Sequence, residues 1–140
     1  MCGGVCYEYE KQPITLYFPN PKAQLPVIKK DGSVLLLPWG RRQQQPGQLP
    51  LGGWARLESI EKGVWDKYQP VSVKIPVKRF MEKDHQEISH WFEITSGQYI
   101  QGLVARYEDE CRVYVVTIVP ERPNAIHNRW PRIVSAISKL

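Results

Sequence analysis

Apolar and polar residues alternate along most of this chain, and the period of the alternation predicts a structure made mainly of strands. Strands are predicted near residues 13–19, 23–28, 34–37, 71–77, 88–94, 99–107, 112–119 and 131–134, with the continuous apolar run at 34–37 buried. From Trp54 to Pro70, apolar residues instead recur at intervals of three or four, which predicts one amphipathic helix. The polar segment 120–129 is interpreted as a short helix or irregular turn. These elements predict a β-dominated α+β domain with a barrel-like sheet, one main helix and a short C-terminal helix.

The segment 41–53 interrupts this pattern, because it is rich in Gln, Gly and Pro and cannot hold a helix or a central strand. We interpret it as a long surface loop within a single domain that covers residues 1–140. Arg41 and Arg42 at its root are candidates to hold a phosphate, although a merely solvated loop is nearly as compatible with the sequence.

Composition narrows the class of protein. The 140 residues carry 19 Lys and Arg against 14 Asp and Glu, so the net charge of +5 favours an anionic partner. Five Trp and seven Tyr add stacking surfaces of the kind that single-stranded nucleic acid binders use. No apolar run is long enough to span a bilayer and no signal pattern opens the chain, so we expect a monomeric cytoplasmic protein, bacterial or phage-related and nucleoid-associated when bound, without a membrane partner.

Common catalytic motifs are absent from the sequence. There is no Gly-rich phosphate loop, no His-Glu-x-x-His and no Gly-x-Ser-x-Gly, so we expect neither a cofactor nor a metal. The three cysteines are expected to be unpaired thiols. A zinc site built from Cys2, Cys6 and either His85 or His90 is the weaker alternative, because no second matched pair of ligands follows.

The opening Met-Cys is the most distinctive candidate for chemistry. Trimming of Met1 would leave Cys2 as the N-terminus, with a thiol and a free α-amine on adjacent carbons. Reference pKa values of about 7.7–8.0 for the amine and about 8.5 for the thiol leave usable fractions of both nucleophiles at neutral pH. Such a pair can capture a carbonyl, and Glu82 and His127 are residue types that could move the protons this needs.

Six short motifs occur in the order found in a known family. They are Met1-Cys2-Gly3, Pro38-Trp39-Gly40, Ala55-Arg56-Leu57-Glu58, Ile75-Pro76 leading to Phe80-Met81-Glu82, Gly102-Leu103, and Val116-Thr117-Ile118 followed by the run 126–131. In this respect the chain resembles the SOS-response-associated peptidase (SRAP) family, from residue 2 to about residue 134. The resemblance implies a mixed, barrel-like β fold with a positively charged groove for single-stranded DNA.

The same resemblance implies a function and a set of site residues. In that family, the cysteine freed of Met1 attacks the aldehyde of an abasic site through its amine and closes a thiazolidine through its thiol. By position, Glu82 matches the acid that assists sugar-ring opening and imine formation, and His127 matches the proton shuttle. Arg56 and Arg129 match the arginines that hold phosphates in that family, and Trp39 matches an aromatic residue on its DNA side.

The chain also departs from the family pattern. Trp54 replaces an asparagine whose amide is expected to hydrogen-bond near the cysteine, Gly4 replaces an arginine, and Trp130 replaces a common methionine. These departures predict slower crosslinking, since a lost positioning hydrogen bond can cost about 10²-fold in rate. Two alternatives stay open: a noncatalytic relative that only binds single-stranded nucleic acid, and a cysteine-type peptidase that uses Cys2 with His127.

Overall fold

The computed structural model describes residues 2–120 and 129–136 as two packed β-sheets with one short α-helix. The strands are β1 (Gly4–Tyr9), β2 (Gln12–Tyr17), β3 (Gln24–Ile28), β4 (Val34–Pro38), β5 (Trp54–Arg56), β6 (Val71–Ile75), β7 (Arg79–Lys83), β8 (Ser89–Glu93), β9 (Gln98–Tyr107), β10 (Glu110–Ile118), β11 (Trp130–Pro131) and β12 (Ile133–Ser135). Helix α1 covers Leu57–Glu61, and a 3-10 turn covers Asp66–Tyr68. The predicted β-dominated α+β class is therefore confirmed, and the short C-terminal helix predicted within 120–129 falls almost wholly outside the described residues.

The smaller sheet has four antiparallel strands in the order β2-β1-β7-β8. The larger sheet follows the path β11-β10-β9-β6-β3-β4, with β12 paired to β9 and β5 paired in parallel to β10. Within the described residues this path does not close into the predicted barrel. A single bridge between Trp39 and Val113 connects the end of β4 to β10.

Apolar side chains cover the larger sheet on both faces. One cluster packs between the two sheets and includes Cys2, Val5, Leu25, Trp39, Ile75, Phe80, Ile100, Val113 and Val115. A smaller cluster lies on the other face and includes Leu49, Ala55, Trp65, Leu103, Tyr114 and Val116, with Leu57 and Ile60 of α1 packed against it. Burial of this apolar surface holds the two sheets and the helix together. Within the described part of the chain, no helix has the length and apolar character needed to cross a membrane.

The predicted long helix is wrong in extent. Its first three residues form β5, which takes the open edge of β10, and Gly63 follows α1 with a φ of +82°, in the left-handed region that ends helices. Val64, which the periodicity places on the buried side, is exposed.

Besides β5, two further strands were not predicted, and one strand is less buried than predicted. Strands β1 and β7 pair with each other through the register Gly4↔Met81 and form the centre of the smaller sheet. The apolar run of β4 was expected to be buried, but Leu35 is 45% exposed because β4 lies at the edge of the larger sheet. An edge position leaves one long side of a strand open to water.

Candidate functional site

The backbone of Cys2 and Gly3 is held where the two sheets meet. Gly3 donates its N–H to the carbonyl of Met81 at 2.9 Å, and its own carbonyl accepts from the N–H of Phe18 at 3.0 Å. The Cys2 carbonyl accepts a hydrogen bond from the indole Nε1–H of Trp54 at 2.7 Å. The direction in which the chain leaves Cys2 is therefore fixed from three places: β7, Phe18 just after β2, and β5.

Trp54 changes the expectation drawn from its departure from the SRAP pattern. The indole N–H is a hydrogen-bond donor, and here it reaches the backbone of the cysteine. Its ring packs against Phe18 with centroids 4.8 Å apart and meets the Trp39 ring edge to face with centroids 6.4 Å apart. A donor thus acts on Cys2 from this position even though the asparagine is absent. The sequence shows that Trp54 stands where the asparagine is expected, but not that its indole donates a hydrogen bond to the Cys2 carbonyl.

The Cys2 thiol is completely buried and donates a long hydrogen bond of 3.4 Å to the Gly4 carbonyl. Burial, together with the negative charge of Glu82, raises the pKa of the thiol to about 12. In this conformation the sulfur is therefore a neutral thiol at physiological pH. A neutral, shielded thiol reacts poorly as a primary nucleophile.

Glu82 lies on β7 with its side chain fully buried on the face that packs against the larger sheet. Phe80, two residues earlier on the same face, stacks on Phe92 and contacts the edge of Trp130. Burial raises the pKa of the Glu82 carboxyl above its ordinary value, since an apolar environment disfavours the charged form. The electrostatic effect of Glu82 on Cys2 shows that the two groups are neighbours, so the structure brings together two of the three predicted catalytic residues.

Arg56 and Arg129 also lie together, around Thr117 of β10. Arg56 is the backbone partner of Thr117 in the β5–β10 ladder. Arg129 donates to the Thr117 carbonyl at 2.7 Å and to its hydroxyl at 3.1 Å. In the sequence, Thr117 stands out as a polar residue within the apolar run of β10. Such a position indicates that the hydroxyl has a hydrogen-bond partner, which the structure shows to be Arg129.

An acidic side chain occupies the anion-binding side of Arg129. The Glu58 carboxylate accepts from both terminal nitrogens of the guanidinium, at 2.8 and 3.0 Å. Hydrogen bonding by Arg129 lowers the pKa of Glu58 to about 2. The arrangement is a bidentate carboxylate–guanidinium pair, the geometry that also suits a phosphate. Arg129 can therefore hold a phosphate by exchanging its present anion.

The predicted DNA-contacting role does not fit the positions of Trp39 and Arg42. Trp39 is completely buried, and its indole donates to the Gly53 carbonyl at 3.0 Å, so its ring offers no face to a ligand. Arg42 is 8% exposed and donates to the carbonyls of Phe18 and Trp39 while its guanidinium stacks on the Phe18 ring.

Arg41 at the start of the Gln-rich loop is likewise occupied within the protein. It donates to the carbonyls of Gln45 and Leu49 at 2.8 and 2.7 Å. The carbonyls of a segment without helix or sheet need donors, and Arg41 supplies two of them, whereas Arg42 donates to carbonyls outside the segment. Arg41 and Arg42, which the sequence predicts to hold a phosphate, thus both use their guanidinium groups in hydrogen bonds within the protein.

The third predicted catalytic residue, His127, lies outside the described residues. No cluster of three or more His, Cys, Asp or Glu side chains suited to a metal ion occurs in the ranges 2–120 and 129–136. There, Cys6 contacts Thr15 and Arg79, and His90 pairs with Asp84 at 2.8 Å.

Comparison of the chain with models of known protein families, with curated proteins and with solved structures gives no match.

Proposed function

We propose that this protein captures abasic sites in single-stranded DNA by forming a covalent thiazolidine with Cys2 after Met1 is removed. The observation that carries the proposal is the placement of Cys2 beside the buried Glu82, at a junction that three hydrogen bonds to the Cys2–Gly3 backbone hold in place. The resemblance to the SRAP family supplies the substrate. The geometry supplies a nucleophile and an acid close enough for the charge of one to affect the other.

The reaction begins at the amine, because the buried thiol is neutral. Hydrolysis of the Met1–Cys2 peptide bond frees the α-amine of Cys2. Its nitrogen adds to C1′ of the open-chain sugar, the aldehyde oxygen takes up a proton, and a carbinolamine forms. Loss of that oxygen as water gives an imine. The sulfur then bonds to C1′ while the thiol proton passes to the nitrogen, so the complete reaction releases one water and involves no oxidation or reduction.

Glu82 is suited to the proton transfers in this sequence. A carboxyl group whose pKa is raised by burial keeps a protonated fraction closer to neutral pH, and such a group can donate a proton to the departing hydroxyl of the carbinolamine. The resulting carboxylate can then accept the proton that the nitrogen loses. A single group next to Cys2 thereby serves as acid and as base.

The DNA backbone would be held by Arg56 and Arg129. Both lie at Thr117, and β5 connects Arg56 directly to Trp54, whose indole holds Cys2. Phosphate binding at Arg129 requires displacement of the Glu58 carboxylate, so that one anion replaces another at the guanidinium. The positive net charge of the chain favours encounter with the DNA strand.

The test is incubation of the purified, Met1-free protein with a single-stranded oligonucleotide that carries one abasic site, followed by denaturing gels and intact mass analysis. We expect an adduct whose mass is the sum of the two reactants less one water. Cys2→Ala should abolish it, whereas Cys6→Ala, which removes a thiol four residues further along, should leave it intact. A chain that retains Met1 should form no adduct, because its amine is not on Cys2.

Two results would overturn the proposal. Intact DNA binding without an adduct at any pH would establish a noncatalytic single-strand binding protein. Cys2-dependent turnover of a peptide or amide, with no DNA adduct, would establish the peptidase alternative. Glu82→Gln should slow adduct formation more than it weakens DNA binding, and equal losses would remove Glu82 from its assigned role.

A further inference from the structure

The outer face of the smaller sheet carries an aromatic pair that the proposed chemistry does not use. The register of the four strands aligns Tyr17, Gly4, Met81 and Trp91 in one row across β2, β1, β7 and β8. The rings of Tyr17 and Trp91 come from the two edge strands and meet edge to face, with centroids 6.2 Å apart. Met81 is buried, while the two rings are 47% and 36% exposed.

Gly4 makes this arrangement possible. A Cβ atom at residue 4 would lie only 3.0 Å from a ring carbon of Tyr17 and 3.2 Å from the Leu16 carbonyl. Because that atom is missing, the Tyr17 ring lies over β1 and reaches toward Trp91. The glycine that departs from the SRAP pattern is therefore the residue that brings the two exposed rings together.

A cation accompanies the aromatic pair. Arg79 lies on the same face, with its guanidinium carbon 5.9 Å from the Trp91 ring centroid and a terminal nitrogen 3.8 Å from the Cys6 sulfur. Lys78 is paired with Glu8 at 2.8 Å, and Lys83 lies 3.8 Å from Glu87. By contrast, among residues 2–120 and 129–136 no carboxylate lies within ion-pair distance of Arg79.

We propose that this face, defined by Tyr17, Trp91 and Arg79, binds the unpaired bases of single-stranded DNA by stacking on the two rings, with Arg79 on a phosphate. The inference rests on the proposed function for the identity of the partner. Exposed rings beside a cation that has no ion-pair partner among the described residues match the stacking platforms of single-strand binding proteins, which accept any base because every base has a π face. Gly4 of this row is two residues from Cys2, so the face lies close to the proposed capture site along the chain.

The test uses an unmodified oligo-dT, so that binding is measured without any covalent step. By fluorescence anisotropy we expect Trp91→Ala to weaken binding about tenfold or more with an unchanged salt slope, since stacking displaces no counterions. Trp91→Phe should retain most of the affinity, because it keeps a ring. Tyr107→Ala serves as the matched control, because Tyr107 is similarly exposed, at 39%, at the end of β9 on the other sheet.

The cation is tested through the dependence on salt. Arg79→Gln should lower the salt slope of binding by about 0.7, the value for one phosphate contact on a single strand. Arg106→Gln, which removes an exposed arginine from β9, should leave the slope unchanged. Thermal unfolding of each variant shows whether the fold is intact.

The two proposals fail in different ways. Affinity for oligo-dT that is unchanged in both Trp91→Ala and Arg79→Gln overturns the stacking face, even if the abasic oligonucleotide still forms its adduct. Loss of binding in these variants, with no adduct from the wild-type chain, supports the face and overturns covalent capture. A wild-type chain that binds no single-stranded DNA at all overturns both.

Discussion

The proposed capture site around Cys2 and the Gln-rich loop at residues 41–53 both carry residues that the sequence marks as functional, but the structure uses them differently. At Cys2, the thiol and the Glu82 side chain are both buried, and the charge of Glu82 raises the pKa of the thiol. At the loop, Arg41 and Arg42 donate to backbone carbonyls. These carbonyls belong to the loop itself at Arg41 and to neighbouring segments at Arg42, so a charged side chain next to an irregular segment can be fully used in satisfying backbone groups.

Trp39→Ala should have the largest effect on stability, because it removes a fully buried ring from the cluster between the sheets. We expect a loss of about 3–5 kcal/mol in the free energy of unfolding, measured by urea denaturation. Trp91→Ala, at an exposed ring, should change it by no more than about 0.5 kcal/mol. Equal losses at both positions would remove the distinction between a structural and a surface tryptophan.

Arg42→Met should have the next largest effect. It keeps much of the side-chain volume but leaves the Phe18 and Trp39 carbonyls without their donor, so we expect a loss of about 1–3 kcal/mol. Arg106→Met, at an exposed arginine, is the control and should be close to neutral. If Arg42→Met instead weakens DNA binding with unchanged stability, the loop arginine contacts the ligand after all.

Trp54→Phe should act on the reaction more than on the fold. The ring is kept in large part but the hydrogen bond to the Cys2 carbonyl is lost, so we expect adduct formation at saturating DNA to slow by about 10–100-fold. Trp65→Phe provides a matched control, since Trp65 contacts Tyr68 and Tyr114 in the other cluster. DNA affinity measured with an unmodified strand should be the same in both variants. A drop in affinity equal to the drop in rate would contradict a positioning role.

The smallest effects should appear in pH profiles of stability, and they should have opposite signs at the two acids. The raised pKa of Glu82 means that the folded state binds its proton more tightly, so stability falls as pH rises above the ordinary glutamate value of 4.5 through the raised pKa. The pKa of Glu58 is lowered to about 2, so its contribution is present above 4.5 and disappears as pH falls through about 2. Urea midpoints measured across pH should lose the first trend in Glu82→Gln and the second in Glu58→Gln. If either pH trend persists after its own glutamate is replaced, another titrating group causes that trend.

The strand content was predictable because period-two alternation survives in β2 and β6, and because β9 and β10, which are buried on both faces, contain short apolar runs. Strands β1 and β7 were not predicted for a physical reason: the first begins with a glycine that follows another, and the second is a five-residue strand with a charged residue, Glu82, on its buried face. The long helix was overpredicted because apolar residues three or four apart do not require one continuous helix. The same spacing is met by a short strand, a short helix and a 3-10 turn that follow one another. Periodicity cannot show that the open edge of β10 will recruit Trp54–Arg56.

For the site, the residue types could be predicted and their surroundings could not. Cys2 and Glu82 follow from the motifs, and their proximity follows from the β1–β7 pairing that the alternation did not reveal. The indole of Trp54 donates a hydrogen bond to Cys2 in place of the asparagine amide of the SRAP pattern, since both groups carry an N–H. Only the geometry shows that the indole reaches Cys2. Arg129 matched a phosphate-holding position, but no spacing rule indicates that Glu58 reaches it from α1.

Strand β5 makes the spacing between Trp54, which holds Cys2, and Arg56 a property of the backbone. The two residues are two apart on a strand whose ladder with β10 fixes both, so the step between their Cα atoms is about 6.6 Å and does not depend on side-chain rotamers. One residue inserted between them would place the Arg56 side chain on the opposite side of the strand from Trp54. Every residue would still be present, yet the donor to Cys2 and the guanidinium that the proposed function assigns to a phosphate would face opposite ways.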